Sequence, residues 1–238
     1  MASGYFRFKQ FAVHQEHAAF KVTTDSVLLG AWAAVEGAEN ILDIGTGTGL
    51  LTLMVAQRSD ARIVALEPDR NSFMQAGVNI TASPWHKRIT LLNTSVQDYR
   101  PSGNVLFDAI ITNPPYFIDS LLNPSESKAR ARHTVSMSHG DLAGAAARLL
   151  APAGGLHLVL PVNEAVRFVE LARDFDLNCR KKVFVRPTPE LPPARVLMSL
   201  QCGDHQSCDE SEMVIEKGGR HIYSDEYVSL TKDFYLKF

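Results

Sequence analysis

The sequence predicts an α/β fold in which a parallel sheet is sandwiched between helices. Three observations carry that prediction. Short, fully apolar strands alternate with helical segments from residue 41 onward, as expected of strands buried on both faces. A glycine-rich turn, Gly45-Thr46-Gly47-Thr48-Gly49, lies between the first of these strands and its helix. The 238 residues are 45% hydrophobic, enough to bury one sizeable core. We therefore expect a single domain over 1–238, with 1–24 as an N-terminal strand or hairpin extension and 25–238 as the main fold.

Each element follows from local pattern. Tyr5, Phe6, Phe8, Phe11 and Val13 are interleaved with Arg7, Lys9 and Gln10, which predicts a strand or hairpin lying against the domain. Thr24-Asp25 predicts the cap of a helix over Ser26 to Ala34 that ends near Gly37. Strands follow at Ile41–Ile44, Ile63–Leu66, Ile89–Leu92 and Phe107–Thr112, with helices at Leu50–Arg58 and Pro68–Ala82 between the first three. From Phe117 to Ser138 the rhythm breaks into a long polar, charged connection, the kind that usually forms a functional lid or stays disordered. A helix then presents Leu142, Ala145, Ala146 and Leu149 on one face, and Pro152 and Gly154-Gly155 are expected to end it. Leu156–Leu160 is a strand, and Ala165, Phe168, Val169 and Ala172 mark the inner face of a helix. The last third holds strands at Val183–Val185, Val196–Leu200 and Met213–Ile215 that would pair antiparallel, and the closing Phe-Tyr-Leu-Lys-Phe should dock on the sheet.

Composition narrows the class further. No apolar run approaches the ~20 residues that span a bilayer, and the N-terminus lacks a signal-peptide core. With three cysteines and no export signal, a cytoplasmic protein is expected, with no membrane contact and no obligate protein partner evident. The net charge of −2 argues against coating nucleic acid through bulk charge, but leaves room for local grip. Basic residues cluster at Arg7, Lys9 and Lys21, at Lys128, Arg130 and Arg132, and at Arg180, Lys181, Lys182 and Arg186.

The glycine turn carries the first chemical signal. A dinucleotide fingerprint needs glycine at the sixth position of G-x-G-x-x-G, and Leu50 stands there. The G-x-G-x-G spacing suits a ligand without pyrophosphate and favours S-adenosylmethionine over NAD. No P-loop lysine follows, which argues against an NTPase. Asp43, Gly45, Thr46, Gly47 and Gly49 are thus candidate cofactor residues. Glu67 ends the second strand, where a carboxylate can accept hydrogen bonds from both hydroxyls of an adenosine ribose. Taken alone it would read as a capping carboxylate ahead of Pro68. Ser95 follows the third strand at the same edge, with Asp98 close behind.

Asn113-Pro114-Pro115-Tyr116 follows the fourth strand directly and is the candidate catalytic turn. Its prolines fix the backbone and remove two N–H donors, leaving a rigid turn rich in carbonyl acceptors. The Asn113 side-chain oxygen and the Pro114 carbonyl can each accept one hydrogen of a planar –NH2. Tyr116, with Phe117 beside it, offers a face for a splayed-out base. Asp43 to Gly49, Glu67, Ser95 and Asn113 all lie just beyond carboxyl ends of predicted strands, where open α/β sheets form one ligand crevice.

These motifs resemble class I methyltransferases, and the N-P-P-Y turn resembles those that methylate amines. Phe6-Arg7-Phe8-Lys9-Gln10-Phe11 and Lys21-Val22-Thr23-Thr24-Asp25-Ser26-Val27-Leu28-Leu29-Gly30-Ala31-Trp32 look like the N-terminal signature of the bacterial valine-tRNA adenine-37 N6-methyltransferases. The likeness continues through Asp43 to Leu50, Ser83-Pro84-Trp85, Asn113 to Tyr116, Tyr223-Ser224 and Phe234-Tyr235-Leu236, over essentially the whole chain. Thr23 stands where that family usually has glycine. The resemblance implies a Rossmann-like, doubly wound seven-strand sheet, S-adenosylmethionine as cofactor, and methyl transfer to N6 of the adenine beside a tRNA anticodon. It further implies that the Lys21–Asp25 loop, with Lys21 and Thr24, helps close the cofactor pocket. An acid near the cofactor adenine usually stands at the position of Ser95; here Ser95 or Asp98 could make that contact, and Ser95 reads equally well as a plain turn residue. Position 37 lies in a single-stranded loop, from which a base is cheaply extracted.

Other constellations are weaker. Cys202-x2-His205-x2-Cys208 offers too few ligands for a closed zinc site, so no metal is expected. His14 and His17 near Glu16 read better as a polar surface strand than as general bases. Arg130 and Arg132, after the catalytic turn, are candidates for RNA phosphate contact. Rival readings are methylation of a glutamine amide in protein release factors, methylation of DNA adenine, and a cofactor-binding protein that has lost activity. The early start of the main fold argues against the first, the lack of a target-recognition domain against the second, and the intact Asn113–Tyr116 against the third.

Overall fold

The computed structural model describes residues 4–16, 21–103, 105–114, 137–203 and 207–237. Two strands open the chain, β1 (Tyr5–Arg7) and β2 (Ala12–His14), followed by helix α1 (Thr24–Trp32). The regular part runs β3 (Asn40–Ile44), α2 (Leu50–Arg58), β4 (Arg62–Leu66), α3 (Arg70–Thr81), β5 (Ile89–Leu92) and β6 (Phe107–Thr112). Then come α4 (His139–Leu149), β7 (Leu150–Pro161), α5 (Val162–Ala172), β8 (Leu177–Arg186), β9 (Arg195–Cys202), β10 (Asp209–Val214) and α6 (Asp225–Thr231).

The main sheet has the order β10-β8-β9-β7-β6-β3-β4-β5. Every pairing from β5 to β7 is parallel, while β9 is antiparallel to both β7 and β8. The expected seven-strand, doubly wound sheet is therefore present. An eighth strand, β10, lies on its edge, and it runs parallel to β8 rather than antiparallel as expected. β10 is largely acidic and exposed, and charge ties it down. Glu210 meets Lys182 at 2.9 Å and Glu212 meets Arg186 at 2.9 Å. Two of the basic residues once available for RNA are thereby engaged on the protein's own edge strand, and Lys181 sits over the Trp32 ring at 5.8 Å.

Helices cover both faces. On one side Leu142, Ala146, Leu149 and Phe168 from α4 and α5 pack against Ile110, Leu156 and Leu158 of the sheet. On the other, Leu28, Leu29, Leu51 and Val55 from α1 and α2 pack against Ile41, Ile63, Val159 and Leu197. The buried strands are apolar on both faces for that reason. Helix α4 ends at Leu149 as expected, but β7 starts at the next residue, so Pro152 and Gly154-Gly155 lie within a strand instead of a loop. The cap of α1 is Thr23, one residue earlier than expected, its hydroxyl accepting the Ser26 N–H.

The N-terminal residues form the hairpin expected of them, with Phe6 opposite Val13. Phe8, Phe11 and Val13 bury against Val27, Met54, Ile80 and Phe234. The chain's closing segment thus docks largely on this hairpin, and the Lys9 N–H donates to the Phe234 carbonyl at 2.8 Å. Asn79 of α3 holds both ends of the arrangement. It exchanges hydrogen bonds with the backbone N–H and carbonyl of His14 and donates to the Thr48 carbonyl in the glycine turn, each at 2.8 Å.

Candidate active site

The chain winds from β3 outward to β4 and β5, then returns to β6 on the other side of β3. A crevice opens at such a reversal, beyond the carboxyl ends of the strands. The ends of β3, β4, β5 and β6 carry Gly45, Glu67, Ser95 and Asn113 respectively, so four sequence-predicted positions meet at one edge.

The glycine turn follows β3. Gly45 and Gly47 have φ of +71° and +58°, and a Cβ on either would meet nothing within 4 Å. These two need glycine for conformation, and they leave open space in which a ligand can approach the backbone. Gly49, at φ +84°, needs glycine for the same reason, but it faces α3, where a Cβ would lie in ordinary contact with Ala76 and Ile80 at 3.6 Å. The turn is pinned by the Gly45 and Thr46 N–H groups, which both donate to the Leu66 carbonyl.

Asp43 lies fully buried beneath this turn. Its Oδ2 accepts from the Thr52 hydroxyl at 2.6 Å, and Thr52 lies 3.0 Å from the Thr46 hydroxyl. Its Oδ1 is buried and has no hydrogen-bond partner. Burial pushes the carboxyl up to about 6, against the hydrogen bonds from Thr46 and Thr52 that lower it. An acceptor left open in this way fits a site that receives a donor from a ligand.

Glu67 ties the glycine turn to the segment that follows β4. One carboxylate oxygen accepts the Gly47 N–H at 2.8 Å and the other the Asp69 N–H at 2.9 Å. Burial raises its pKa, these two backbone bonds oppose the rise, and the Asp69 and Asp43 charges add to it. Each oxygen keeps acceptor capacity for a further donor, as two ribose hydroxyls would supply. Asn93 donates to the Glu67 carbonyl at 2.8 Å and fixes the end of β4. Beside it, the Ser95 hydroxyl donates to Asp98 at 2.7 Å, so the two candidates for the adenine contact form a single unit.

At the fourth strand, the Thr112 hydroxyl donates to the Ile44 carbonyl at 2.8 Å and locks β6 to β3. Asn113 is half-buried and Pro114 buried. The Asn113 amide nitrogen donates to the Ser26 hydroxyl at 2.8 Å, which leaves its oxygen as the free end. Through Ser26 the start of α1 is joined to the candidate catalytic turn. The exposed Lys21 and Thr24 stand in the segment leading into that helix, and Asp25 is fixed by Arg195 at 2.8 Å. Pro115, Tyr116, Phe117, Arg130 and Arg132 lie outside the described residues, as do His17 and His205.

Sequence reasoning marked Thr23 only as a departure within the Lys21–Asp25 loop, and it assigned no role in the site to Ser26, Thr52, Asn79 or Asn93. Thr52 alone left a trace, a hydroxyl within the otherwise apolar Leu50–Ala56 run. Elsewhere, Cys208 Sγ lies 3.0 Å from Cys179 Sγ on β8, and burial and that neighbour push the Cys179 thiol up to about 12. Among the described residues no group of three potential metal ligands occurs, and no helix is long and apolar enough to cross a membrane.

Comparison with known proteins gives the family and the fold. The family model described as methyltransferase small domain matches residues 18–178. A protein of Parabacteroides distasonis named tRNA1(Val) (adenine(37)-N6)-methyltransferase is 44% identical over 237 residues, covering 100% of each chain. Proteins of the same name from Trichodesmium erythraeum and Aeromonas hydrophila are 42% and 43% identical, covering 100% and 98% of this chain and 100% and 97% of theirs. Among solved structures, a predicted O-methyltransferase from Agrobacterium tumefaciens superposes with a TM-score of 0.71 at 19% identity, over 88% of this chain and 96% of that one. The T. thermophilus 16S rRNA N2 G1207 methyltransferase, in complex with AdoMet and guanosine, superposes with a TM-score of 0.58 at 21% identity, over 84% of this chain and 50% of that one. Those two likenesses speak to the class I fold alone. The family match and the full-length relatives make this an S-adenosylmethionine-dependent methyltransferase. The chain belongs to the methyltransferase small-domain family and, within it, to the tRNA1(Val) (adenine(37)-N6)-methyltransferases.

Proposed function

We propose that this protein methylates the N6 amine of adenine 37 in the anticodon loop of a valine tRNA. The observation that carries the reading is the orientation of Asn113. With its amide nitrogen engaged by Ser26, its oxygen is the end available to a substrate, and that end accepts hydrogen bonds. Asn113 Oδ1 and the Pro114 carbonyl would accept the two hydrogens of the adenine amine. Held at both hydrogens, the amine turns its lone pair out of the base plane and toward the glycine turn. S-adenosylmethionine, when bound, supplies an electrophilic methyl on a positively charged sulfur. In the transfer the N6 lone pair would bond the methyl carbon as its C–S bond breaks, the electron pair staying on sulfur as a neutral thioether. The surplus N6 proton would pass to solvent as product leaves. The protein's part is positioning and exclusion of water during the transfer itself, with no acidic or basic side chain required before the new N–C bond forms.

In this reading Gly45, Thr46, Gly47 and Gly49 shape the cofactor cradle, while Asp43 and Glu67 supply buried acceptors for its donors. The Ser95–Asp98 unit lies on the adenine side, and Lys21 and Thr24 border the pocket mouth. Tyr116 and Phe117 remain the candidates for stacking the base, and Arg130 and Arg132 the candidates for RNA phosphate contact. The names of the full-length relatives support the choice of tRNA and of position 37.

The test is direct. The protein is incubated with methyl-labelled cofactor and either unmodified total tRNA or release factor, and the products are digested. Label recovered as N6-methyladenosine at position 37 is the expected result. Label in a release-factor glutamine, with none in tRNA, would overturn the reading.

A further inference from the structure

We propose that Ser26 is a positioning residue for methyl transfer, its hydroxyl fixing which end of the Asn113 amide faces the substrate. This rests on the function proposed above, because the acceptor role of Asn113 gives the orientation its meaning.

An asparagine amide has two ends of nearly equal size and opposite polarity. Rotated by half a turn, Asn113 would present its N–H groups to the amine hydrogen that its oxygen should accept, and repel it. Shape alone discriminates poorly between the two orientations, so a hydrogen-bond partner must select one. Ser26 Oγ is that partner, receiving Asn113 Nδ2 at 2.8 Å. The hydroxyl is itself held in place. It lies 3.2 Å from the Thr23 hydroxyl, and Thr23 also accepts the Ser26 N–H as the cap of α1. Whichever of the two hydroxyls donates to the other, Ser26 Oγ retains a lone pair for the amide nitrogen. The mount is rigid as well, since Val27 to Ala31 of α1 are buried and Asp25 is tied to Arg195 on β9. A loop-to-helix junction distant in sequence thus sets the polarity of the catalytic turn.

Five enzymes test this: wild type, Ser26→Ala, Ser26→Thr, Asn113→Ala and the Ser26→Ala/Asn113→Ala double variant. Each is measured under single-turnover conditions with labelled cofactor and unmodified tRNA, alongside cofactor affinity by calorimetry and the melting temperature. Ser26→Ala should slow methyl transfer roughly five- to tenfold, the worth of one hydrogen bond. Its cofactor affinity and KM for tRNA should stay at the wild-type values. Ser26→Thr keeps the hydroxyl and should recover most of the rate. In the Asn113→Ala background, Ser26→Ala should add no further loss. A Ser26→Ala enzyme with full turnover would overturn the proposal. So would an equal loss in the Asn113→Ala background, or a loss that appears in cofactor affinity rather than rate. A wild-type enzyme that labels release factor and not tRNA would instead overturn the proposed function, and the Ser26 comparison would still be made on the glutamine amide.

Discussion

Glu67 accepts the Gly47 N–H at 2.8 Å, so the acid at the end of β4 and the glycine turn after β3 form one structure before any cofactor arrives. The turn is thereby preorganised. Glu67→Ala removes the acceptors proposed for the ribose and the brace of the turn together. Each hydrogen bond to a charged group is worth ~1.5–3 kcal/mol, so cofactor affinity should fall by about one to two orders of magnitude or more. Calorimetric titration with S-adenosylmethionine measures it, and an unchanged dissociation constant would refute the role of Glu67.

Asn113→Ala should behave in the opposite way. The residue stands at the end of β6, after the Thr112 lock on β3, and its side chain touches Ser26 rather than the glycine turn. Cofactor binding should therefore remain within about twofold of wild type, while turnover falls by roughly two orders of magnitude or more through loss of alignment. Normal turnover in this variant would remove the basis for the catalytic turn.

The parts of this molecule that could be read from sequence share one property: their side chains face a single kind of environment. Ile41-Leu42 and Ile63-Val64-Ala65-Leu66 are apolar because both faces of a parallel strand meet helices, and the pattern says so directly. Glycines at 45, 47 and 49 were legible because the turn between a strand and its helix needs positive φ. β10 was only partly legible. Asp209-Glu210-Ser211-Glu212 looks like a polar turn until Lys182 and Arg186 of β8 are placed beside it, and only its end at Met213 carries a core signal. The same holds for Ser26, Asn79 and Asn93. The contact that ties each to the site reaches a residue far along the chain (Asn113 for Ser26, Thr48 for Asn79, Glu67 for Asn93), so nothing local marks it as part of the site.

Asp43 gives a pH dependence with a definite sign. Burial holds its carboxyl at about 6 instead of 3.8, so between those values the folded protein binds more protons than the unfolded chain. Its stabilising contribution to the cofactor-free protein is present below the ordinary value and is lost as pH rises through about 6. Ionised Asp43 then costs ~3 kcal/mol near neutrality, which a ligand donor to Oδ1 would offset. Cofactor affinity should therefore weaken as pH falls through about 6, and Asp43→Asn should flatten that dependence while raising the urea midpoint of the cofactor-free protein at about pH 8. Affinity that stays constant from about pH 5 to about pH 8 would contradict this account.

His157 sends the stability profile the other way. It lies on β7 beneath Trp32, edge to face at 6.1 Å, and its Nδ1 is buried without a partner. Burial and the Arg58 charge push its pKa down to about 4 from 6.5, despite the opposing Ala34 carbonyl and Glu36. The unfolded chain therefore binds the extra proton first. The neutral ring contributes fully above about 6.5, and that contribution drains away as pH falls toward 4, by up to ~3 kcal/mol. Asp43 gains over much of the same window, so the wild-type protein should show little net change in urea midpoint between about pH 7 and pH 5. Replacing the ring removes only one side of that balance. His157→Leu should therefore become more stable on acidification across this interval, to the extent of the uncompensated Asp43 contribution. A His157→Leu protein that loses stability over the same interval would show that the histidine was never the group held neutral.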